Sequence, residues 1–278
     1  MTRSPVSAFN TLDSNVKNER FGFSTGALEK GNYRVAIDWL RQHEVRSVEL
    51  SALRFNELQP LVDDLDKLPI DAFGYVSFHA PSSFHPEQES RVLSLLEPVF
   101  KRGWNIVVHP DVIYTPSLWK HFGQQLLIEN MDRRKTTGRT VQELGKLFEQ
   151  LPSARMCLDV AHARQLDTTL TLLGSIVKAF KDRIAEVHIS ELDSRCRHRP
   201  LSGRAIADYH QFAASLRNIP VIIESMLEQD HCGLRQEEVC LAHQAMDEYS
   251  TRSDDSTGEL PGRERIRSSP SSEFYFQL

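Results

Sequence analysis

Apolar runs and amphipathic stretches alternate along most of the chain. Eight runs have the length and the β-branched or aromatic residues typical of strands. They begin about 20 to 35 residues apart, which leaves room for one helix and two loops between successive strands. The predicted strands are Phe21–Thr25, Ser47–Ser51, Phe73–His79, Trp104–His109, Leu126–Asn130, Met156–Val160, Ile184–Ser190 and Pro220–Ser225.

The segments between the strands have helical periodicity. Leu173, Ile176, Val177 and Phe180 recur at intervals of three and four, which predicts a helix with one buried face. A second stripe predicts a helix that follows Thr140, and its residues are Val141, Leu144, Leu147, Phe148 and Leu151. Thr140 and Glu143 have the spacing of a capping box at the start of that helix.

Eight strand–helix alternations predict an α/β fold, and eight is the number that closes a (β/α)₈ TIM barrel. The strands are nearly continuous apolar runs, as in parallel sheets that helices cover. A doubly wound open sheet is the competing architecture. Its common GxGxxG signature does not follow the first strand, where Gly22 and Gly26 lead into Ala27 and Leu28.

Length and composition set the domain boundaries. The 278 residues suit one barrel over 20–249. A polar N-terminal extension over 1–19 precedes it, and a polar segment over 250–278, expected to be disordered, follows and ends in the aromatic cluster Phe274–Phe276. The charge of −5 argues against a generally basic nucleic-acid surface. No apolar run is long enough to span a membrane and no cysteine pairing motif is present, so a soluble, cytoplasmic protein is expected.

Acidic residues and histidines stand at or near one end of most predicted strands. They are Glu49, His79, His109, Glu129, Asp159, His162, His188 and Glu224. The ends of barrel strands and the loops after them form the active site of this fold. Glu129, Asp159 and Glu224 follow apolar runs without Lys or Arg, so they need a counter-charge. Zinc, manganese or iron would supply it better than calcium, because the donors mix imidazole with carboxylate.

Basic loops adjoin the same end of the predicted barrel. Arg195, Arg197 and Arg199 alternate with Cys196 and His198 after the seventh strand. A second basic run, Arg133 to Lys135, follows the fifth strand. Guanidinium groups pair bidentately with phosphate, so these loops suit an anionic substrate, although a solvated surface loop has the same composition.

Six short segments together resemble the xylose-isomerase-like TIM-barrel superfamily, which includes endonuclease IV and many sugar isomerases and epimerases. The segments lie in order over roughly residues 20 to 248. They are Phe78-His79-Ala80-Pro81, Val108-His109-Pro110, Ile128-Glu129-Asn130, Leu158-Asp159-Val160-Ala161-His162, Val187-His188-Ile189-Ser190 and Ile223-Glu224-Ser225.

The resemblance implies a ligand set. In the endonuclease IV pattern His79, His109 and Glu129 would hold one zinc. Glu129 would bridge to a second zinc, which Asp159, His188 and Glu224 complete. His162 and His198 would belong to a third site, for which the family uses an Asp-Arg-His triplet. This chain reads Cys196-Arg197-His198 there, so the third site is kept with a softer ligand, altered in metal preference or lost.

Two enzyme classes follow from the resemblance. The first is a multinuclear metal hydrolase of phosphate esters, in which Glu129 bridges the metals while Arg197 and Arg195 bind phosphate. DNA is one possible substrate, but the loops after the first two strands offer few basic or intercalating residues. The alternative is a sugar or sugar-phosphate isomerase or epimerase with one Mn²⁺ or Mg²⁺. Glu129 and Glu224 would then move the proton, and Glu49 would contact sugar hydroxyls. A catalytically silent barrel that binds a partner is a third hypothesis.

Overall fold

A computed structural model describes residues 19–227 and 232–247, and in it eight parallel strands close into a barrel. This confirms the predicted (β/α)₈ fold. The barrel strands are β1 (Phe21–Ser24), β2 (Ser47–Ser51), β3 (Tyr75–His79), β4 (Asn105–Val108), β5 (Leu126–Glu129), β6 (Arg155–Asp159), β7 (Ile184–Ile189) and β10 (Val221–Ile223). Residues 1–18 of the predicted extension over 1–19, and the predicted disordered segment over 250–278, lie outside the described residues.

The strands follow one another around the barrel in chain order, and β10 closes the ring between β7 and β1. A separate antiparallel pair, β8 (Glu191–Leu192) and β9 (His198–Arg199), stands in the loop after β7. Gly22 lies opposite Ser47, and a Cβ at Gly22 would overlap the Ser47 carbonyl oxygen. Glycine therefore allows β1 to approach β2 closely enough to pair.

Helices cover the outside of the barrel. They are α1 (Tyr33–Gln42), α2 (Phe55–Asp64), α3 (Glu89–Lys101), α4 (Pro116–Trp119), α5 (Val141–Gln150), α6 (Val160–Leu166), α7 (Thr171–Phe180), α8 (Gly203–His210) and α9 (Cys232–Met246). In the part of the chain that the structure describes, no helix is long and apolar enough to cross a membrane.

The two helices predicted from apolar stripes are present as α5 and α7. Leu173, Ile176, Val177 and Phe180 of α7 are all buried, as their spacing predicts. At α5 the Thr140 side chain accepts the backbone N–H of Glu143. The Glu143 carboxylate accepts the N–H of Arg139 instead of that of Thr140, so only half of the predicted capping box forms.

The two faces of the barrel strands differ in character. Phe23, Leu50 and Phe78 belong to the main hydrophobic core, which the helices share. Inside the barrel only a small apolar cluster stands apart from that core, formed by Val107, Leu127 and Cys157. Because side chains alternate across a strand, the same strands also point inward, and most of their remaining inward positions are polar residues, which build the candidate site.

Candidate metal centre

The predicted ligands converge at the carboxyl end of the barrel. His79, Glu129 and Asp159 are the last residues of their strands, and His188 is the last but one of β7. His109 and Glu224 follow their strands directly. Since these strands run parallel around the closed barrel, their carboxyl ends face one mouth and these side chains meet there.

Glu129 is the centre of the cluster and contacts four histidines. Its Oε2 lies 3.2 Å from Nε2 of His79 and 3.2 Å from Nε2 of His109. Its Oε1 lies 3.2 Å from Nδ1 of His162 and 3.8 Å from Nδ1 of His188. The carboxylate is only 1% exposed, so the imidazoles take the place of water around it.

Two sets of donor atoms share Glu129. His79, His109 and Glu129 form one set, and their donor atoms all lie within 4.8 Å of one another. The second set, under the same limit, consists of Glu129, Asp159, His188 and Glu224. The two sets bring together six of the residues that the family resemblance implies as ligands, and His162 lies beside them in contact with Glu129.

The histidine rings are oriented as metal ligands usually are. His79 Nδ1 is 2.7 Å from the carbonyl oxygen of Ala80, and His162 Nδ1 is 2.8 Å from that of Asn130. A carbonyl requires an N–H from Nδ1, which leaves the Nε2 lone pair as a donor to a metal. Nε2 of His162 is buried without a hydrogen-bond partner. These residues therefore fit a divalent metal, whose coordination would satisfy the unpartnered atoms.

Asp159 is held rigidly from behind. Asn130 Nδ2 donates to its carbonyl oxygen over 2.8 Å, and its own N–H donates to Asn130 Oδ1 over 2.9 Å. Its Oδ1 caps α6 by accepting the N–H of His162 over 2.6 Å, whereas Oδ2 is buried without a hydrogen-bond partner. One oxygen is thus committed to the fold and the other is available to a metal.

The charges of the cluster are strongly perturbed. Burial raises the pKa of Asp159 to about 7, and the Glu224 and Glu129 carboxylates act in the same direction. Burial alone would lower the pKa of His79 and His162, but neighbouring carboxylates outweigh it and raise these values to about 9 and about 10. Burial would raise the pKa of Glu129, yet His109 and the other imidazoles hold it well below its usual range. Such shifts cluster at functional sites.

The residues predicted for a third metal site are less closely assembled. The rings of His162 and His198 are 5.7 Å apart, and His198 Nδ1 lies 2.8 Å from Ser190 Oγ. Cys196 is buried, and its thiol donates to Gln165 Oε1 over 3.4 Å. Among the described residues, none of the compact sets of three or more donors includes His162, Cys196 or His198.

The predicted substrate-binding residues occupy different positions. Arg197 lines a cavity of about 670 Å³ beside the metal centre, and its guanidinium pairs with Asp193 at 2.8 Å. Arg195 is exposed and is not among the residues that line this cavity. Glu49, expected to contact sugar hydroxyls, is fully buried inside the barrel with Oε2 3.2 Å from His188 Nε2. It therefore presents no surface to a substrate at the mouth.

Two adjoining cavities open at the mouth. One, of about 530 Å³, is lined by His79, His109, Glu129, His162, His198 and Glu224. The other is the cavity that Arg197 lines, and Arg134, Arg199 and Arg235 contribute to its wall. Arg134 and His198 line both, so the cavity over the candidate metal centre continues into the arginine-lined cavity.

Asp132 and Glu186 belong to the site but were missed from the sequence. Asp132 is 1% exposed, pairs with Arg134, and lies 3.9 Å from His162 Nε2. Glu186 is fully buried and 2.9 Å from His188 Nε2. Each had a signal: Asp132 stands three residues after Glu129 in the loop that follows a strand, and Glu186 precedes His188 by two, the spacing of one strand face.

Solved structures of other proteins have a similar fold. No family model matches the sequence, and no curated protein matches it. Solved structures do match. Endonuclease IV from Thermus thermophilus is 18% identical, with a TM-score of 0.55 over 81% of this chain and 99% of that one. A 3-keto-D-glucoside 4-epimerase from E. coli is 15% identical, with a TM-score of 0.57 over 81% and 98%.

A third match is a xylose isomerase domain containing protein from Salmonella typhimurium. It is 17% identical, with a TM-score of 0.56 over 80% of this chain and 95% of that one. At these identities the likeness shows the fold, and it agrees with the superfamily that the six sequence motifs resemble. These matches bear the names of an endonuclease, an epimerase and a xylose isomerase domain protein, and the shared fold does not distinguish between such activities.

Proposed function

We propose that the protein is a metal-dependent hydrolase of phosphate esters. The observation that carries the proposal is the position of Glu129, which is shared by two sets of metal donors. A carboxylate shared in this way can bridge two metal ions, and paired metals are typical of enzymes that hydrolyse phosphate esters. A site that holds only the second set would leave His79 and His109 in contact with Glu129 but without a metal to bind.

Two divalent ions at these sets would lower the pKa of bound water and offset negative charge on a phosphate. The chain's own carboxylates make that neutralisation necessary, since Glu129, Asp159 and Glu224 would repel an anion. Glu129 would hold both sets in register through its two oxygens. Arg197 and Arg134 would bind the part of the substrate that extends into the arginine-lined cavity, because guanidinium groups pair bidentately with phosphate.

A sugar isomerase or epimerase is the second candidate. One geometric observation favours it: Glu224 Oε1 and Glu129 Oε1 lie 3.5 and 3.8 Å from the same atom, Nδ1 of His188. Two carboxylates close to the same candidate metal ligand could transfer a proton between adjacent carbons of a bound sugar. This chemistry needs only the second set of donors and a single Mn²⁺ or Mg²⁺.

Metal analysis combined with two variants distinguishes the hydrolase from the isomerase. Protein purified without chelator is assayed for metal content and for turnover of phosphomonoesters, phosphodiesters, abasic DNA, and aldose and ketose sugars. The hydrolase predicts two or more metals per chain, with hydrolysis lost in both His109→Asn and Glu224→Gln. The isomerase predicts one metal and sugar turnover that His109→Asn retains. A wild-type protein that takes up no metal would overturn both.

A further inference from the structure

The ring nitrogen of His188 that faces away from the mouth lies between two buried carboxylates. Nε2 is 2.9 Å from Glu186 Oε1 and 3.2 Å from Glu49 Oε2. All three residues are fully buried. An imidazole that binds a metal through Nδ1 has a single N–H, on Nε2, so only one of the two carboxylates can accept it.

Glu186 is the end point of a hydrogen-bond chain that crosses the barrel. Arg155 Nη2 donates to Asn105 Oδ1 over 2.6 Å, so the amide nitrogen of Asn105 faces Tyr75 and donates to its oxygen over 3.0 Å. The Tyr75 hydroxyl hydrogen is then directed to Glu186 Oε2, 2.5 Å away. Since β3 and β7 are not neighbours in the barrel, this bond spans its interior.

The surroundings of Glu49 are poorer in donors. Its Oε1 accepts the Ser51 hydroxyl over 3.2 Å, and its Oε2 has no hydrogen bond of good geometry. Glu186 by contrast receives Tyr75 on one oxygen and His188 on the other. A buried carboxylate is stabilised in its charged form by such donors. Glu186 is therefore the better acceptor for the His188 N–H.

A β-bulge places Glu186 in this position. Met156 pairs with Ile184, whereas Cys157 pairs with Glu186, so Ala185 has no partner on β6. The bulge turns Glu186 and His188 toward the same interior as Cys157 and Asp159, with which they are in register. Cys157 Sγ lies 3.9 Å from Glu186 Oε1 and adds a weak donor.

We propose that Glu186 is the positioning residue of the metal centre: it accepts the Nε2–H of His188 and so directs the Nδ1 lone pair to the mouth. Nδ1 is buried without a hydrogen-bond partner and faces Glu224 and Glu129. This inference rests on the proposed metal site. Carboxylates that accept the second N–H of a metal-binding histidine commonly contribute roughly 10- to 100-fold to metal affinity.

The test compares zinc affinity, measured by competition with a chromophoric chelator, in wild type, Glu186→Gln and Glu49→Gln. Both variants exchange a buried carboxylate for an amide of the same shape beside the same imidazole. We expect Glu186→Gln to weaken zinc binding by roughly 10- to 100-fold. Glu49→Gln should change the zinc affinity by no more than about threefold, which is the effect expected from losing one ordinary hydrogen bond. Thermal unfolding of the metal-free proteins shows whether either change acts on folding instead.

The outcomes separate this inference from the proposed function. A wild-type protein that binds no zinc would overturn the metal site and this role with it. Zinc bound equally tightly by wild type and Glu186→Gln would overturn the positioning role alone. Weaker binding in Glu49→Gln only would assign the N–H to Glu49. If Glu186→Gln does not fold, Tyr75→Phe serves as the second variant, because it removes the hydroxyl that donates to the Glu186 carboxylate. Weaker zinc binding by Tyr75→Phe would support the proposal, and unchanged zinc affinity would overturn it.

Discussion

Nε2 of His79 lies 3.2 Å from Oε2 of Glu129, and the two residues end strands β3 and β5, which are separated by β4. His79 Nδ1 is occupied by the Ala80 carbonyl, so Nε2 is the ring nitrogen that faces the carboxylate oxygen, which His109 Nε2 also approaches to 3.2 Å. At neutral pH a proton holds this buried pair together in the metal-free protein. A metal ion would replace that proton, and the predictions on affinity and pH follow from this exchange.

Replacing Glu129 by Gln should remove the metal centre. The amide keeps the shape of the side chain but cannot bridge two cations, so both donor sets lose their shared ligand. We expect zinc bound by wild type to fall from two equivalents to less than one, with activity lost. Elemental analysis after gel filtration measures the bound metal.

Glu97→Gln is the matched control for that variant. Glu97 Oε1 also contacts a histidine, His121 Nε2 at 2.7 Å, but the pair is on the outer surface with the carboxylate 36% exposed. Its loss should leave metal content unchanged. Equal metal content in Glu129→Gln and Glu97→Gln would contradict a bridging role for Glu129.

Metal affinity should rise steeply with pH. The pKa values of His79 and His162 are raised to about 9 and about 10, because the surrounding carboxylates outweigh burial. A metal must displace these protons, so apparent zinc affinity should increase from about pH 6.5 to about pH 9 and binding should release protons. Calorimetry in two buffers of different ionisation enthalpy measures the number released. No difference between the buffers would contradict this mechanism.

The stability of the metal-free protein should fall as the pH rises, whereas metal affinity increases. A histidine whose folded pKa exceeds its unfolded value of about 6.5 stabilises the fold fully below that value, and the contribution is lost as pH rises through the folded pKa. For His79 this window runs from about 6.5 to about 9. The melting temperature of the chelator-treated protein should therefore fall over this window, while the stabilisation by added zinc grows. A flat profile without metal would contradict the raised pKa.

Arg197→Met should raise KM for a phosphate ester, by roughly ten-fold or more if one charge-assisted hydrogen bond to phosphate is lost. Arg195→Met is the control, since Arg195 is two residues away and exposed but does not line the cavity beside the metal centre. Equal effects of the two changes would indicate a general charge effect. Steady-state kinetics at two salt concentrations distinguishes these cases, because a general effect is screened.

Glu89 should be required for stability and not for metal binding. This buried carboxylate accepts the backbone N–H groups of Tyr114 and Thr115 and the indole N–H of Trp119, all on Oε1. Glu89→Ala leaves three donors unsatisfied, so we expect the free energy of unfolding to fall by about 3 kcal/mol or more. Urea denaturation measures the loss, and metal content should not change. A difference below about 1 kcal/mol would show that water replaces the carboxylate.

The sequence predicts the barrel well because its signals are local. Apolar runs and their spacing place all eight barrel strands, and β3 begins at Tyr75, two residues after its predicted start at Phe73. The positions of the candidate ligands are predictable for the same reason, since residues such as Glu129 and Asp159 stand where a strand ends. What the sequence indicates less directly is how deep in the barrel a side chain lies and which side chain of another strand it contacts.

Glu49 and Glu186 illustrate that limit. Glu49 stands in the middle of β2 and is covered from above by His188, so a carboxylate expected to meet a sugar is closed off inside the barrel. The contact joins β2 to β7, and no pattern within either strand specifies it. Arg195 and Arg197 lie two residues apart in the same basic loop, yet of the two only Arg197 lines the arginine-lined cavity. The difference depends on the conformation of the loop between β8 and β9, which the alternation of arginines does not specify.

Cys196→Asp tests whether the third metal site depends on this one residue. Cys196 stands where the endonuclease IV pattern has aspartate, and its backbone has a φ of 57°, a region that Asp adopts more readily than Cys. An aspartate there would restore the carboxylate of the family's triplet, two residues before His198 in the sequence. We expect one additional metal per chain, with zinc stabilising this variant more than wild type, since an unpaired carboxylate at this buried position costs stability without metal. Cys240→Asp, at an exposed cysteine, is the control. Unchanged metal content in Cys196→Asp would show that the distance between the His162 and His198 rings, rather than the missing carboxylate, prevents a third ion from binding.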